Sequence, residues 1–124
     1  MGHGSKLEYS KKAVCFFAEK LRERVGLPVE VGFMNINEPG INESLMKLVN
    51  SGVETVYVLP AFLAHGIHTT RDITRKIGLT EGSKEGLVSV NGTTVLLKYC
   101  DPIGPDERVV DILEERLKQK IGNT

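Results

Sequence analysis

The sequence predicts an α/β fold, with a mainly parallel sheet and helices on both faces, and two observations predict it. Short β-branched and aromatic runs alternate along the chain with segments whose apolar residues recur at three- and four-residue steps. One such run, Thr55 to Leu59, passes through a loop directly into a helix signal, the order of a βαβ unit. With 124 residues there is room for one domain, residues 1–124, and no second.

The elements follow in order. Ser10 can cap a first helix running to about Val25, with Val14, Phe17, Leu21 and Val25 as its core stripe and Gly26 as its stop. Val29 to Met34 is predicted as a strand, entering the turn-rich Asn35 to Gly40. A short helix from Asn42 to about Asn50 turns Leu45, Leu48 and Val49 inward, and Ser51-Gly52 ends it. Thr55 to Leu59 suits a buried strand, and Pro60 ends its ladder because it has no N–H to give. Ala61 to Gly66 is an apolar loop. Thr69 or Thr70 can cap a helix from Arg71 to Ile77, closed by Gly78. Thr80 to Gly86 is a polar, glycine-containing loop. Leu87 to Val90, Asn91-Gly92 and Thr93 to Tyr99 form a hairpin, since Asn and Gly both tolerate φ > 0; Val95 to Tyr99 is expected to be the last parallel strand. After the Asp101 to Pro105 turn, Pro105 or Asp106 opens a helix to about Lys120, with Val109, Val110, Leu113 and Leu117 inward and Gly122 as its stop.

Composition excludes several functions. Sixteen basic and sixteen acidic side chains balance, so the overall field favours neither nucleic acid nor an acidic membrane surface. No apolar run approaches the roughly 20 residues that cross a bilayer, and no secretory leader pattern is present. Cys15 and Cys100 form no C-x-x-C pair and read as reduced, mostly buried thiols of a cytoplasmic protein. There is no G-x-x-x-x-G-K-[ST] loop for a nucleotide.

The chemistry-bearing residues cluster by pattern. All three histidines, His3, His65 and His68, fall in or beside glycine-containing loops that precede predicted helices. Imidazole is the commonest metal ligand, and strand C-terminal edges of parallel sheets are where ligands bind. Glu38 lies past another strand's C-terminal end, on the same edge.

Gly2-His3-Gly4-Ser5, together with the Pro60 to Ile73 run PAFLAHGIHTTRDI, resembles the small archaeal class II chelatases, the sirohydrochlorin cobaltochelatases and nickelochelatases. The likeness extends through Glu38-Pro39 and Asp101-Pro102-Ile103-Gly104 and covers nearly the whole chain. It implies a three-layer, flavodoxin-like chelatase fold with a mainly parallel four-stranded sheet. The family's first strand, which precedes the GHGS loop, is missing from this chain, where only Met1 stands before Gly2. A misassigned start or a shortened form is the expectation there, and the intact mass of the natural protein tests it.

The resemblance implies that His3 and His68 hold the metal and that His3 accepts a proton. Glu38, Leu63, Ala64, His65, Gly66, Ile67 and His68 are implied to contact the substrate. Thr74 stands where the family motif has proline. Two imidazoles leave coordination positions open, as an ion that must be handed on requires. A neutral histidine near pH 7 can take up a pyrrole proton. The implied activity is insertion of Ni2+ or Co2+ into sirohydrochlorin without ATP, nickel foremost and cobalt second, for the nickel tetrapyrrole coenzyme of methanogenesis and for cobalamin. The ion is substrate, no cofactor is permanently bound, and the enzyme is implied to be a homodimer enclosing the macrocycle. A nickel or cobalt carrier without catalysis is the alternative reading. A hydrolase using Ser5 lacks the G-x-S-x-G elbow.

Overall fold

Thr55–Val58 (β1) forms the strand that its alternating apolar pattern predicts, burying Val56 and Val58 and turning Tyr57 outward. The computed structural model describes residues 1, 8–34, 38–63, 67–80 and 82–122, with the backbone alone for residues 8–10 and 67–70. The elements are α1 (Glu8–Val25), α2 (Ile41–Asn50), β1, α3 (Ile67–Lys76), β2 (Glu85–Val90), β3 (Thr93–Tyr99) and α4 (Glu107–Ile121). The sheet has the order β1-β3-β2. Strands β1 and β3 pair in parallel from Thr55↔Leu96 to Val58↔Tyr99. Strands β2 and β3 pair antiparallel from Glu85↔Lys98 to Val90↔Thr93, around the Asn91-Gly92 turn with φ of 52° and 82°.

Among the described residues the sheet is therefore three-stranded and mixed, rather than four-stranded and mainly parallel. The difference lies in Val29 to Met34, which makes only the isolated bridge Phe33↔Gly40. Several of its backbone groups find partners outside any strand. The Phe33 N–H donates to the Pro39 carbonyl and its C=O accepts from Ile41 N–H, both at 3.0 Å. The Val31 carbonyl accepts from the Ser44 hydroxyl, and that of Val29 from the Arg22 guanidinium. Two helix starts also differ. Ser10 lies inside α1, and α3 begins at Ile67, so His68, Thr69 and Thr70 belong to its first turn instead of to a capping loop. The helical cost of β-branched residues there is a few tenths of a kcal/mol each, about the size that context overrides. Strand β2 starts two residues before Leu87, because Glu85 pairs with Lys98 across the hairpin, Nζ to Oε1 3.5 Å.

One face of the sheet carries the core. Val56, Val58, Val88, Val90, Val95, Leu97 and Tyr99 pack against Ile41, Leu45 and Val49 of α2 and against Ile73, Ile77 and Leu79 at and after α3. The end of α3 is a Schellman motif: Gly78 (φ 94°) donates to Arg75 O at 3.1 Å and Leu79 to Thr74 O at 2.9 Å. Thr74 is fully buried; its hydroxyl donates to Arg71 O at 3.2 Å and accepts from Gly82 N–H at 3.4 Å. Thr74 thus ties the following loop to the helix.

The opposite face of the sheet exposes Tyr57, Leu59 and Leu87. The inward stripes expected on α1 and α4 are not buried against it. In α1 only Ala18 is buried among the described side chains, while Phe17 and Val25 are exposed. No residue of α4 is buried, and Val110, Leu113 and Leu117 are each more than half exposed. Nothing among the described residues covers these apolar surfaces.

Candidate functional site

The loops that leave β1 and β3 run together past the sheet's C-terminal edge. Cys100 N–H donates to Val58 O at 2.8 Å, Ile103 N–H to Phe62 O at 3.2 Å and Gly104 N–H to Leu63 O at 2.6 Å. Pro60 is fully buried, Phe62 packs on the core, and Leu63 is exposed. On the other side of the β1 loop runs Met1. Its amino group donates to Leu59 O and its carbonyl accepts from Ala61 N–H, each at 2.5 Å. That is the bonding pattern of a parallel neighbour, and it sets Met1 beside Leu59 to Ala61.

Of the predicted metal residues, His3 lies outside the described residues. The backbone of His68 is placed in the first turn of α3, directly downstream of this edge. Ala64, His65 and Gly66 also lie outside the described residues, and Ile67 is placed by its backbone as the first residue of α3. Glu38 is exposed, in a loop pinned at its base by the Phe33–Pro39 and Phe33–Ile41 hydrogen bonds. Lys76 Nζ, at the end of α3, donates to Met34 O at 3.0 Å and so ties α3 to the start of the Glu38 loop. Arg71, Asp72 and Arg75 lie on the exposed side of α3. Among the described residues no group of three or more His, Cys, Asp or Glu side chains is placed to hold a metal.

The electrostatics at this edge favour neutral forms. Burial pulls the Met1 amino group down to about 6, against an opposing pull from Cys100. The Cys100 thiol is pushed up by burial and then by Asp101, and burial pushes the Tyr99 phenol up to about 12. At neutral pH the end of β3 therefore presents a protonated thiol and phenol. Cys15 is exposed rather than buried, and both thiols are free.

Three framework features were not foreseen from sequence: the Met1 rung, the Lys76 tie, and the pairing of the Ile103-Gly104 turn with Phe62-Leu63. The Pro102 to Gly104 run does signal a tight turn, but nothing local says which loop it meets.

The CbiX family model matches residues 1–120. A sirohydrochlorin cobaltochelatase of Methanocaldococcus jannaschii is 40% identical, with 94% of this chain and 93% of that protein aligned. One from Methanothermobacter thermautotrophicus is 36% identical over 98% of this chain and 90% of its own. Among solved structures, SirB from Bacillus subtilis with Fe3+ superposes with a TM-score of 0.73 at 28% identity. That match covers 95% of this chain but only 44% of SirB. The sirohydrochlorin chelatase SirB in complex with cobalt gives the same TM-score at 27% identity.

Proposed function

Because the chain belongs to the CbiX family of class II chelatases, we propose that it inserts a divalent ion, cobalt or nickel, into sirohydrochlorin. The observation that carries this reading is the near end-to-end match to sirohydrochlorin cobaltochelatases. The strand–loop–helix edge after β1 supports it, since that is the place in an α/β sheet where ligands sit.

In this reading His3 and His68 hold the incoming ion. Two imidazoles leave room for water and then for pyrrole nitrogens, where a closed four-ligand site would trap the metal. The macrocycle loses two N–H protons as the ion enters. His3 takes one, through a ring nitrogen not bound to metal or in a separate step. Glu38 binds the substrate or takes up a proton. Leu63, Ala64, His65, Gly66, Ile67 and His68 lie along the flat ring, with Leu63 offering apolar contact.

The names of the relatives weigh toward cobalt, and imidazole suits nickel equally. SirB is more than twice this chain's matched length, which supports a homodimer whose second copy completes the cleft. The working compartment is the cytoplasm; among the described residues no helix is long and apolar enough to cross a membrane.

The test is anaerobic visible spectroscopy of sirohydrochlorin mixed with Co2+ or Ni2+, with and without the protein. Faster appearance of the metallated spectrum, lost in His68→Ala, is the expected result and ranks the two ions. Metal binding by a folded protein without faster insertion overturns the reading in favour of a carrier.

A further inference from the structure

We propose that the turn from Asp101 to Gly104 is a clasp that fixes Phe62 and Leu63 in the loop leaving β1, with Gly104 as its positioning residue. This rests on the reading above of that loop as the substrate-contacting segment.

Two backbone bonds make the clasp, Ile103 N–H to Phe62 O at 3.2 Å and Gly104 N–H to Leu63 O at 2.6 Å. They fall immediately before residue 64, at the last described point of the loop. Phe62 is anchored in turn by packing on the core. The clasp's other end is fixed to the sheet: Cys100 N–H donates to Val58 O, and Tyr99 N–H donates to Lys84 O at 2.7 Å. Lys84 Nζ also meets Asp101 Oδ1 at 2.5 Å. Gly104 closes the turn with φ +66°, a left-handed conformation that a β-branched residue avoids and that asparagine adopts readily.

Gly26 supplies a matched control. Its φ is also +66° and a Cβ there meets nothing within 4 Å, whereas at Gly104 the nearest atom is Pro102 O at 4.0 Å. A Cβ at either position thus meets the same backbone strain without a close contact. Only at Gly104 does relief of that strain move N–H groups that hold the loop.

The experiment compares the full chain with Gly104→Val, Gly104→Asn and Gly26→Val. Thermal midpoints, hydrogen exchange of the peptide covering residues 61–68, and the kcat and KM of Co2+ insertion are measured. The expected result is similar lowering of Tm in the two valine variants. In Gly104→Val alone, the peptide exchanges faster and kcat/KM falls about 5- to 30-fold, the equilibrium factor of a left-handed Cβ penalty. Gly104→Asn restores both. Exchange and kcat/KM in Gly104→Val equal to those in Gly26→Val overturn the clasp. If the unaltered protein does not accelerate insertion, the chelatase reading fails, and the exchange comparison still decides whether the clasp holds the loop.

Discussion

Gly32→Ala isolates how tightly the Glu38 loop is closed. Gly32 is buried, and a Cβ on it would stand 2.9 Å from Ile41 Cα, a backbone atom that no side-chain rotation can remove. Ordinary contact needs roughly 0.5 Å or more of additional separation, so the start of α2 must back away from Phe33. The two 3.0 Å hydrogen bonds that close the loop, Phe33 N–H to Pro39 O and Ile41 N–H to Phe33 O, lie across that same gap and lengthen with it. Overpacking of this kind costs about 1–3 kcal/mol. For a chain of this size that lowers Tm by roughly 5–15 °C.

Gly40→Ala is the comparison, because nothing lies within 4 Å of its Cβ position. Gly40 has φ −68° and stands at the N-cap of α2. The entropy gained by restricting the unfolded chain there nearly offsets the poorer cap. Urea unfolding followed by circular dichroism measures both variants. If Gly32→Ala falls within about 0.5 kcal/mol of Gly40→Ala, the range of neutral substitutions, the close approach does not constrain the loop and the reasoning fails.

Other outcomes are open to direct measurement. Leu97→Ala, in the central strand and fully buried, should cost about 3–4 kcal/mol in urea unfolding; a cost near that of an exposed leucine such as Leu87 would contradict the core assignment. Thr74→Val removes the hydroxyl that bonds Arg71 O and Gly82 N–H, and should cost about 1 kcal/mol and speed exchange of the Gly82 amide. Tyr99 gives a pH signature. An unfolded phenol ionises near pH 10, while the folded one holds its proton to about 12. The folded state binds more protons between those values, so this contribution is complete below pH 10 and falls away by roughly 2–3 kcal/mol as pH rises to 12. Tyr99→Phe should flatten that decline, and an unchanged slope would refute the assignment.

What the sequence made legible was local in origin. Asn91-Gly92 specified the hairpin because left-handed turn residues announce themselves. The spacing of Leu45, Leu48 and Val49 gave the packed face of α2, and Gly26, Gly78 and Gly122 gave three helix ends. The strand expected over Val29 to Met34 was not legible as an irregular segment, since the Val29 and Val31 carbonyls bond Arg22 and Ser44 and Phe33 bonds its own returning loop, partners that no apolar pattern encodes. The same holds for α4. Its periodicity marks Val110, Leu113 and Leu117 as one face, yet periodicity cannot say whether that face finds a cover. At the candidate site, the resemblance named individual side chains, whereas the structure supplies the framework around them: the Met1 rung, the Lys76 tie and the pairing of two loops. Those are backbone and long-range contacts, without a one-dimensional signature.

The position of β3 between its two neighbours also orders events during synthesis. Strand β1 leaves the ribosome with its parallel partner still unmade, for Thr55 pairs with Leu96, about 40 residues later. At about 5–20 residues per second this leaves Val56 and Val58 without a ladder for some 2–8 s. Strands β2 and β3 need only a two-residue turn to meet, and so form a local template onto which the waiting β1 is recruited. Early hairpin formation followed by capture of β1 would give high φ-values across Val88 and Val95 and low ones at Val56.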